Sequence, residues 1–169
     1  MHQNDPQDAG YRQFLGRLFN PMVELLKPED QGLDYGSGPG PTLSLMFEEQ
    51  GYTMAIYDYI YAQHDGVFEH VYDFITCTET IEHFRNPRDE LQKIWRIIKT
   101  GGYLGIMTGV VNEQTEFANW HYKNDPTHVC FYSYVTINWI TNLLQAKQVY
   151  VEGNVVIIQK LRDTESENI

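Results

Sequence analysis

The chain has few basic residues: 12 Lys and Arg stand against 23 Asp and Glu, which gives a net charge of −11. Nucleic-acid affinity depends on basic side chains that displace counterions from phosphates, so this balance disfavours DNA and RNA partners. The same charge opposes docking on anionic lipid, and no apolar run approaches the ~20 residues of a membrane span. The sequence therefore predicts a soluble protein with neither a nucleic-acid nor a membrane partner.

Cysteine is also scarce. Cys77 and Cys130 are the two in the sequence, and neither belongs to a pair with metal-ligand spacing. The first ten residues are polar and contain no apolar signal core. These features predict a reducing, cytoplasmic location and no structural metal.

Strand and helix patterns alternate without a break, which predicts one domain over residues 1–161 and a polar tail over 162–169. Alternation of this kind is typical of an α/β fold, a doubly wound, mostly parallel sheet covered on both faces. The turn at 152–154 predicts a C-terminal antiparallel hairpin. Residues 58–71 are too few for both a helix and a strand, so we expect a trimmed third βα element. The predicted helices cover 11–26 (interrupted near Pro21), 41–50, 86–100 (ended by Gly101 and Gly102) and the segment after Ser133, and the predicted strands cover 32–35, 53–57, 71–78, 103–108, 148–151 and 154–160.

A glycine-rich turn lies between the first predicted strand and the next helix, where backbone N–H groups converge on a ligand. A dinucleotide fingerprint would place a glycine at position 41, where this chain has Pro41, and the motif G-x-x-x-x-G-K-[ST] of ATPases is absent. The carboxylate of Asp34 would repel a pyrophosphate, whereas S-adenosylmethionine (SAM) is cationic and carries no phosphate. The turn therefore favours SAM over NAD. It reads Asp34, Tyr35, Gly36, Ser37, Gly38, Pro39, Gly40.

Asp58 follows the second predicted strand, 22 residues after Gly36. Taken alone it would be an ordinary strand-end or turn residue. An acid at this distance from a glycine loop is typical of a group that accepts hydrogen bonds from ribose hydroxyls. Together the two features indicate a nucleoside site.

Four stretches in order, LDYGSGPG, AIYD, YDFITCTETIEHF and LQKIWRIIKTGGYLGIMT, resemble the class I SAM-dependent methyltransferases over about residues 32–160. The last two resemble the family's fourth strand with its loop, and its next helix, glycine turn and fifth strand. The resemblance implies a Rossmann-like fold and SAM as cofactor. It implies that Gly36, Ser37 and Gly38 pack against the methionine part of SAM within a loop completed by Asp34 and Gly40, that Asp58 holds the ribose, that Tyr59 covers the adenine, and that Thr78 and Glu79 border the cofactor.

Histidine is the natural base for an oxygen or nitrogen acceptor near neutral pH, and we predict His83, His121 and His128 as catalytic candidates. His83 could instead be a helix-start residue that bonds Glu79 one turn back. The spacing of His121, Asp125 and His128 matches no standard metal site. The aromatic residues around these histidines predict either a wall over the acceptor or a packed connection.

The sequence thus predicts a SAM-dependent methyltransferase that acts on a small-molecule acceptor. A SAM-binding module that has lost turnover and acts through a protein partner is the alternative, motivated by the trimmed interval after Asp58. An NAD-type oxidoreductase is a third possibility, opposed by Asp34 and Pro41.

Overall fold

The computed structural model describes residues 5–112 and 115–161. The predicted tail at 162–169 lies outside the described residues. The helices are α1 (Ala9–Val23), α2 (Thr42–Glu49), α3 (Pro87–Arg96) and α4 (Tyr134–Leu143), with 3₁₀ turns at Asp65–Glu69, Ile81–His83, Phe117–Asn119 and His121–Asn124. The strands are β1 (Gln31–Tyr35), β2 (Thr53–Tyr57), β3 (Tyr72–Thr78), β4 (Ile98–Met107), β5 (Val110–Val111), β6 (Tyr132–Ser133), β7 (Ala146–Glu152) and β8 (Val155–Lys160).

Six strands form the main sheet, in the order β2-β1-β3-β4-β8-β7. The first four are parallel, and β8 runs antiparallel to both β4 and β7. Strands β5 and β6 form a separate two-residue parallel pair. The predicted mostly parallel sheet with a C-terminal hairpin is confirmed.

Helices cover both faces of the sheet because successive strand residues point to opposite sides. Phe74 packs in the cluster formed with α1 and α2, while its neighbour Ile75 packs in the cluster formed with α3 and α4. Both side chains are fully buried. The sheet thus lies between two apolar layers. Because β1, β2 and β3 are parallel, their carboxyl ends lie together at the same end of the sheet, which is called the strand edge below.

The interval after β2 is as short as the sequence predicts. It contains the turn Asp65–Glu69 and an isolated bridge between Asp58 and Ala62, but no strand in the described stretch 58–71. Strand β2 is consequently an edge of the sheet.

Two predicted boundaries were wrong. Helix α3 ends at Arg96 and β4 begins at Ile98, so the glycine pair lies inside the strand and does not end the helix. Gly101 takes φ +86°, and a Cβ on Gly102 would lie 2.4 Å from the carbonyl oxygen of Asp73, so the pair forms an irregularity that passes close to β3. Similarly, Pro21 lies within α1 and does not interrupt it; the helix ends two residues later.

Within the described part of the chain, no helix is both long enough and apolar enough to cross a membrane.

Candidate functional site

The glycine loop leaves β1 in a conformation that only glycine adopts easily. Gly36 and Gly38 have φ of +83° and +65°. The N–H groups of Gly36 and Ser37 donate to the carbonyl oxygen of Tyr57 at 2.7 and 3.2 Å, which ties the loop to the end of β2. A Cβ on Gly36 would lie 2.2 Å from Thr80 Oγ1, so the loop also packs against the segment after β3.

Asp58 joins this loop across the strand ends. Its Oδ2 accepts the N–H of Gly38 at 2.9 Å, and its Oδ1 accepts the N–H groups of Ile60 and Tyr61 at 2.8 and 2.9 Å. Two carboxylate oxygens offer about four lone-pair sites, so three amides do not saturate Asp58. The structure brings the loop and Asp58 together, while the Tyr59 side chain beside them is 77% exposed.

Asp34 lies beneath the loop and not on its surface. Its buried carboxylate accepts hydrogen bonds from Thr76 Oγ1 at 2.9 Å and from Ser44 Oγ at 3.3 Å. Burial raises the pKa of Asp34 to about 6; the two hydroxyls oppose this shift, and the charge of Asp58 adds to it. Asp34 thus fastens β1 to β3 and α2 under the loop.

Two orphaned hydroxyls mark the same edge. Ser37 Oγ and Thr78 Oγ1 are buried and have no hydrogen-bond partner among the described residues. Unpaired buried polar atoms are uncommon, and a bound ligand is one explanation for them. Because these hydroxyls follow adjacent strands and flank a loop without side chains at Gly36 and Gly38, the residues present fit a small polar cofactor.

Glu79 follows β3 in a left-handed conformation, with φ +47°, which is unusual for a residue with a side chain. Its N–H donates to the carbonyl oxygen of Met107 at 2.7 Å, so the turn is fixed to the end of β4. Burial raises the pKa of its carboxyl to about 7, and the nearby charge of Glu82 adds to the shift.

A second carboxylate, Glu82, is fully buried in the 3₁₀ turn Ile81–His83 that follows β3. Its Oε2 accepts Thr108 Oγ1 at 2.8 Å, and its Oε1 accepts the hydroxyl of Tyr122. The same Tyr122 hydroxyl lies 3.1 Å from Glu79 Oε2. Sequence reasoning did not assign Glu82 to the site, because nothing local distinguishes it from an exposed helix-start residue.

The three predicted histidines do not lie together. His83 Nδ1 lies 3.0 Å from the carbonyl oxygen of Thr127, and His128 Nδ1 lies 2.7 Å from that of Tyr122. A carbonyl can only accept, so each Nδ1 donates to its backbone partner, and the Nε2 of His128 lies 3.9 Å from Asp125 Oδ2. The rings of His83 and His128 are 4.8 Å apart, with His83 exposed and His128 half-buried, and the exposed His121 lies outside this pair.

Glu82, His83 and His128 bring their possible ligand atoms within 4.8 Å of one another. Donors around a tetrahedral zinc ion with ~2.0 Å bonds lie about 3.3 Å apart. These are side chains that could share a cation, but a spacing of up to 4.8 Å is wider than in a formed zinc site.

Residues 117–131, between β5 and β6, form a segment rich in aromatic side chains that is called the aromatic insert below. Trp120 stacks on Tyr122 with ring centroids 5.0 Å apart, and Phe117 meets Phe131 edge-on at 5.3 Å. The rings contact one another, as the packed-connection alternative predicts, yet Phe117 is still 46% exposed. The insert is therefore a packed aromatic unit that is partly exposed at Phe117 and that contacts Glu79 and Glu82 through Tyr122.

Comparison with known proteins agrees with this geometry. A family model described as a methyltransferase domain matches residues 8–147, so the chain belongs to the methyltransferase domain family. The predicted class I SAM-dependent methyltransferase fold is thereby confirmed, as is SAM as the cofactor of that family.

Individual relatives are more distant. The ubiquinone biosynthesis O-methyltransferase of Pectobacterium atrosepticum is 30% identical over 77 residues, which are 46% of this chain and 32% of that protein. The chain thus matches about a third of the length of such curated relatives. Among solved structures, the 1,6-didemethyltoxoflavin-N1-methyltransferase of Burkholderia thailandensis, with bound 1,6-didemethyltoxoflavin and S-adenosylhomocysteine, has a TM-score of 0.67 at 12% identity, covering 88% of this chain and 78% of that one. A SAM-dependent methyltransferase of Methanosarcina mazei has a TM-score of 0.62 at 15% identity, covering 85% and 98%. At these identities the two structures show the fold alone.

Proposed function

We propose that this chain is a SAM-dependent methyltransferase that methylates a small-molecule acceptor through an oxygen atom. The observation that carries the proposal is the joined site at the strand ends, where Asp58 is bonded to the glycine loop and two buried hydroxyls lack partners in the part of the chain that the structure describes. In this proposal Gly36, Ser37, Gly38 and Gly40 line the methionine part of SAM above Asp34, Asp58 binds the ribose, Tyr59 closes over the adenine, and Thr78 and Glu79 border the cofactor.

The acceptor would lie between this edge and the aromatic insert. SAM supplies an activated methyl group, and the protein's task is to align the acceptor and exclude water. His83 and His128 are suited to orient an acceptor hydroxyl because backbone carbonyls hold the Nδ1 atom of each ring and so fix both imidazoles. His121, which is exposed, is proposed only to contact the acceptor as it enters. The name of the ubiquinone biosynthesis relative supports an oxygen acceptor.

Calorimetric titration of the full chain with SAM and S-adenosylhomocysteine, with NAD as the control, tests the proposal. We expect micromolar binding of the first two ligands alone, followed by transfer of a labelled methyl group to at least one member of a panel of phenols and other small hydroxyl compounds. Failure to bind either SAM or S-adenosylhomocysteine would overturn the proposal.

The same experiment addresses the non-catalytic alternative. Binding of SAM without transfer to any small acceptor would favour a module that acts through a protein partner. We favour an enzyme because the proposed site contains the carboxylates of Glu79 and Glu82, two imidazoles and the Tyr122 ring. We further propose that the enzyme has one domain over residues 1–161 and is active in the cytoplasm.

A further inference from the structure

We propose that Glu79 accepts the proton that the acceptor hydroxyl loses during methyl transfer, and that Tyr122 is the positioning residue that holds Glu79 in both of its protonation states. This inference rests on the proposed function. It assigns the base to a carboxylate and leaves His83 and His128 to orient the acceptor.

The backbone fixes the position of Glu79 at the carboxyl end of β3. Its left-handed conformation is held by the 2.7 Å bond from its own N–H to Met107, and strained positions of this kind concentrate at functional sites. The next residue, Thr80, packs directly on Gly36 and donates from Oγ1 to its carbonyl oxygen at 3.4 Å. Glu79 is therefore next in sequence to a residue that contacts the glycine loop, and its own side chain contacts Tyr122 of the insert.

Counting protons shows how the network accepts one more. Tyr122 has a single hydroxyl proton but contacts both Glu79 and Glu82, so it donates to one carboxylate at a time. While Glu79 is ionised, Tyr122 can donate to it. Once Glu79 takes a proton, Glu79 donates to the Tyr122 oxygen, and the hydroxyl turns to Glu82, which Thr108 also supports. Each carboxyl group keeps at least one hydrogen-bond partner in both states, because Thr108 still donates to Glu82 while Tyr122 donates to Glu79.

The charged groups around Glu79 come from three parts of the chain. Burial is the main reason that its pKa is raised to about 7, and the charge of Glu82 adds to this effect; the Tyr122 hydroxyl and the cation of Arg17 on α1 oppose it. Tyr11 on α1 lies near enough for its own pKa to be raised in part by the charge of Glu79. A base with a pKa near the working pH combines a useful ionised fraction with proton affinity.

The step balances as follows. A Glu79 oxygen takes the proton of the acceptor O–H as the acceptor oxygen forms its bond to the methyl carbon. The bond from that carbon to the SAM sulfur breaks, and its electron pair stays on the sulfur, which becomes the thioether of S-adenosylhomocysteine. Glu79 then returns its proton to water.

Two measurements on the full chain test the inference, both with EDTA present so that no cation bound near Glu82 contributes. Carboxyl-¹³C NMR of glutamate-labelled protein follows each Glu with pH in the wild type, Glu79→Gln and the control Glu48→Gln, which alters an exposed glutamate on α2. Methyl transfer to the acceptor found in the panel is then measured from pH 5.5 to 8.5, with SAM affinity checked by calorimetry.

We expect one carboxyl resonance to titrate near pH 7 in the wild type and in E48Q, and to be missing in E79Q. We also expect kcat/KM to rise tenfold per pH unit below about 7 and to level off above it, since the base must be ionised. E79Q should bind SAM within threefold of the wild type and lose at least 100-fold in kcat, with no remaining rise near pH 7. A histidine variant separates a glutamate base from a histidine base: in His128→Ala, kcat/KM should keep the pH dependence of the wild type.

Titration of Glu79 near its usual 4.5, or an E79Q variant with normal kcat, would overturn this inference while leaving the proposed function intact. A wild-type chain that fails to bind SAM, or transfers methyl to no acceptor, would remove the enzyme proposal and the inference together.

Discussion

The two sides of the proposed site, its cofactor side and its acceptor side, are built differently. On the cofactor side, Gly36, Ser37, Gly38 and Asp58 are connected largely through backbone N–H and carbonyl groups of adjacent strands and loops. On the acceptor side, the connection depends on the side chains of Glu79, Glu82, Thr108 and Tyr122. The difference indicates that the cofactor side follows from the fold, whereas the acceptor side follows from particular residues and can change without altering the sheet.

Replacing Gly36 with Ala should have the largest effect and tests whether the cofactor side depends on backbone shape. The new Cβ would lie 2.2 Å from Thr80 Oγ1 at φ +83°, and overpacking together with strain costs about 3 kcal/mol or more. We expect SAM affinity to fall at least ~100-fold, measured by calorimetry.

Gly51→Ala is the matched control, since Gly51 has φ +93° with no atom within 4 Å of its Cβ position. It should lower stability by about 1 kcal/mol and leave SAM binding unchanged. Equal loss of SAM affinity in both variants would mean that general destabilisation, and not the loop, explains the result.

Asp58→Ala tests a side chain that the proposed cofactor side requires. Loss of a charged hydrogen-bond acceptor costs ~1.5–3 kcal/mol, so we expect the SAM dissociation constant to rise about tenfold to hundredfold. Unchanged affinity would remove Asp58 from the site and break the assignment of the ribose to this edge.

Tyr122→Phe sharpens the comparison from the other side. We expect kcat to fall about tenfold, the lower end of the cost of a hydrogen bond to a charged group, while SAM affinity stays within twofold. Steady-state kinetics and calorimetry separate the two quantities. Tyr134→Phe, which removes an exposed hydroxyl bonded to the Gly153 carbonyl oxygen, is the control and should leave both values unchanged.

The last prediction concerns the effect of the buried Asp34 carboxyl on the pH dependence of stability. Because its folded pKa is raised from 3.8 to about 6, the folded state holds the proton more tightly than the unfolded chain, and the free energy of unfolding falls as pH rises between those values. Asp34→Asn removes this term. Between pH 4 and pH 7 this shift amounts to roughly 2 kcal/mol, so the melting temperature of the variant should fall ~4–8 °C less than that of the wild type, on the scale of ~2–4 °C per kcal/mol.

Exposed Asp65→Asn serves as the charge-matched control for that experiment and should follow the wild-type curve. If the melting temperatures of D34N and the wild type change equally with pH, burial of the Asp34 carboxylate makes no pH-dependent contribution to stability.

The contrast also explains what the sequence could predict. The strand, the glycine loop and Asp58 follow from short-range spacing, and the structure brings the loop and Asp58 together. Glu82 and Tyr122 are 40 residues apart, and no local pattern reveals that the insert returns to a buried carboxylate. The glycine pair at 101 and 102 misled the prediction for a related reason: its role is set by close approach to Asp73 on another strand, which a helix-end rule does not contain.

Asp58 has one more consequence. Three backbone amides already restrain its carboxylate, so the side chain has few rotamers left to lose when a ligand arrives. A group immobilised in advance contributes its interaction with little entropic penalty. The Asp58 carboxylate should therefore lose little conformational entropy when the proposed ribose binds, because its ordering is already completed during folding.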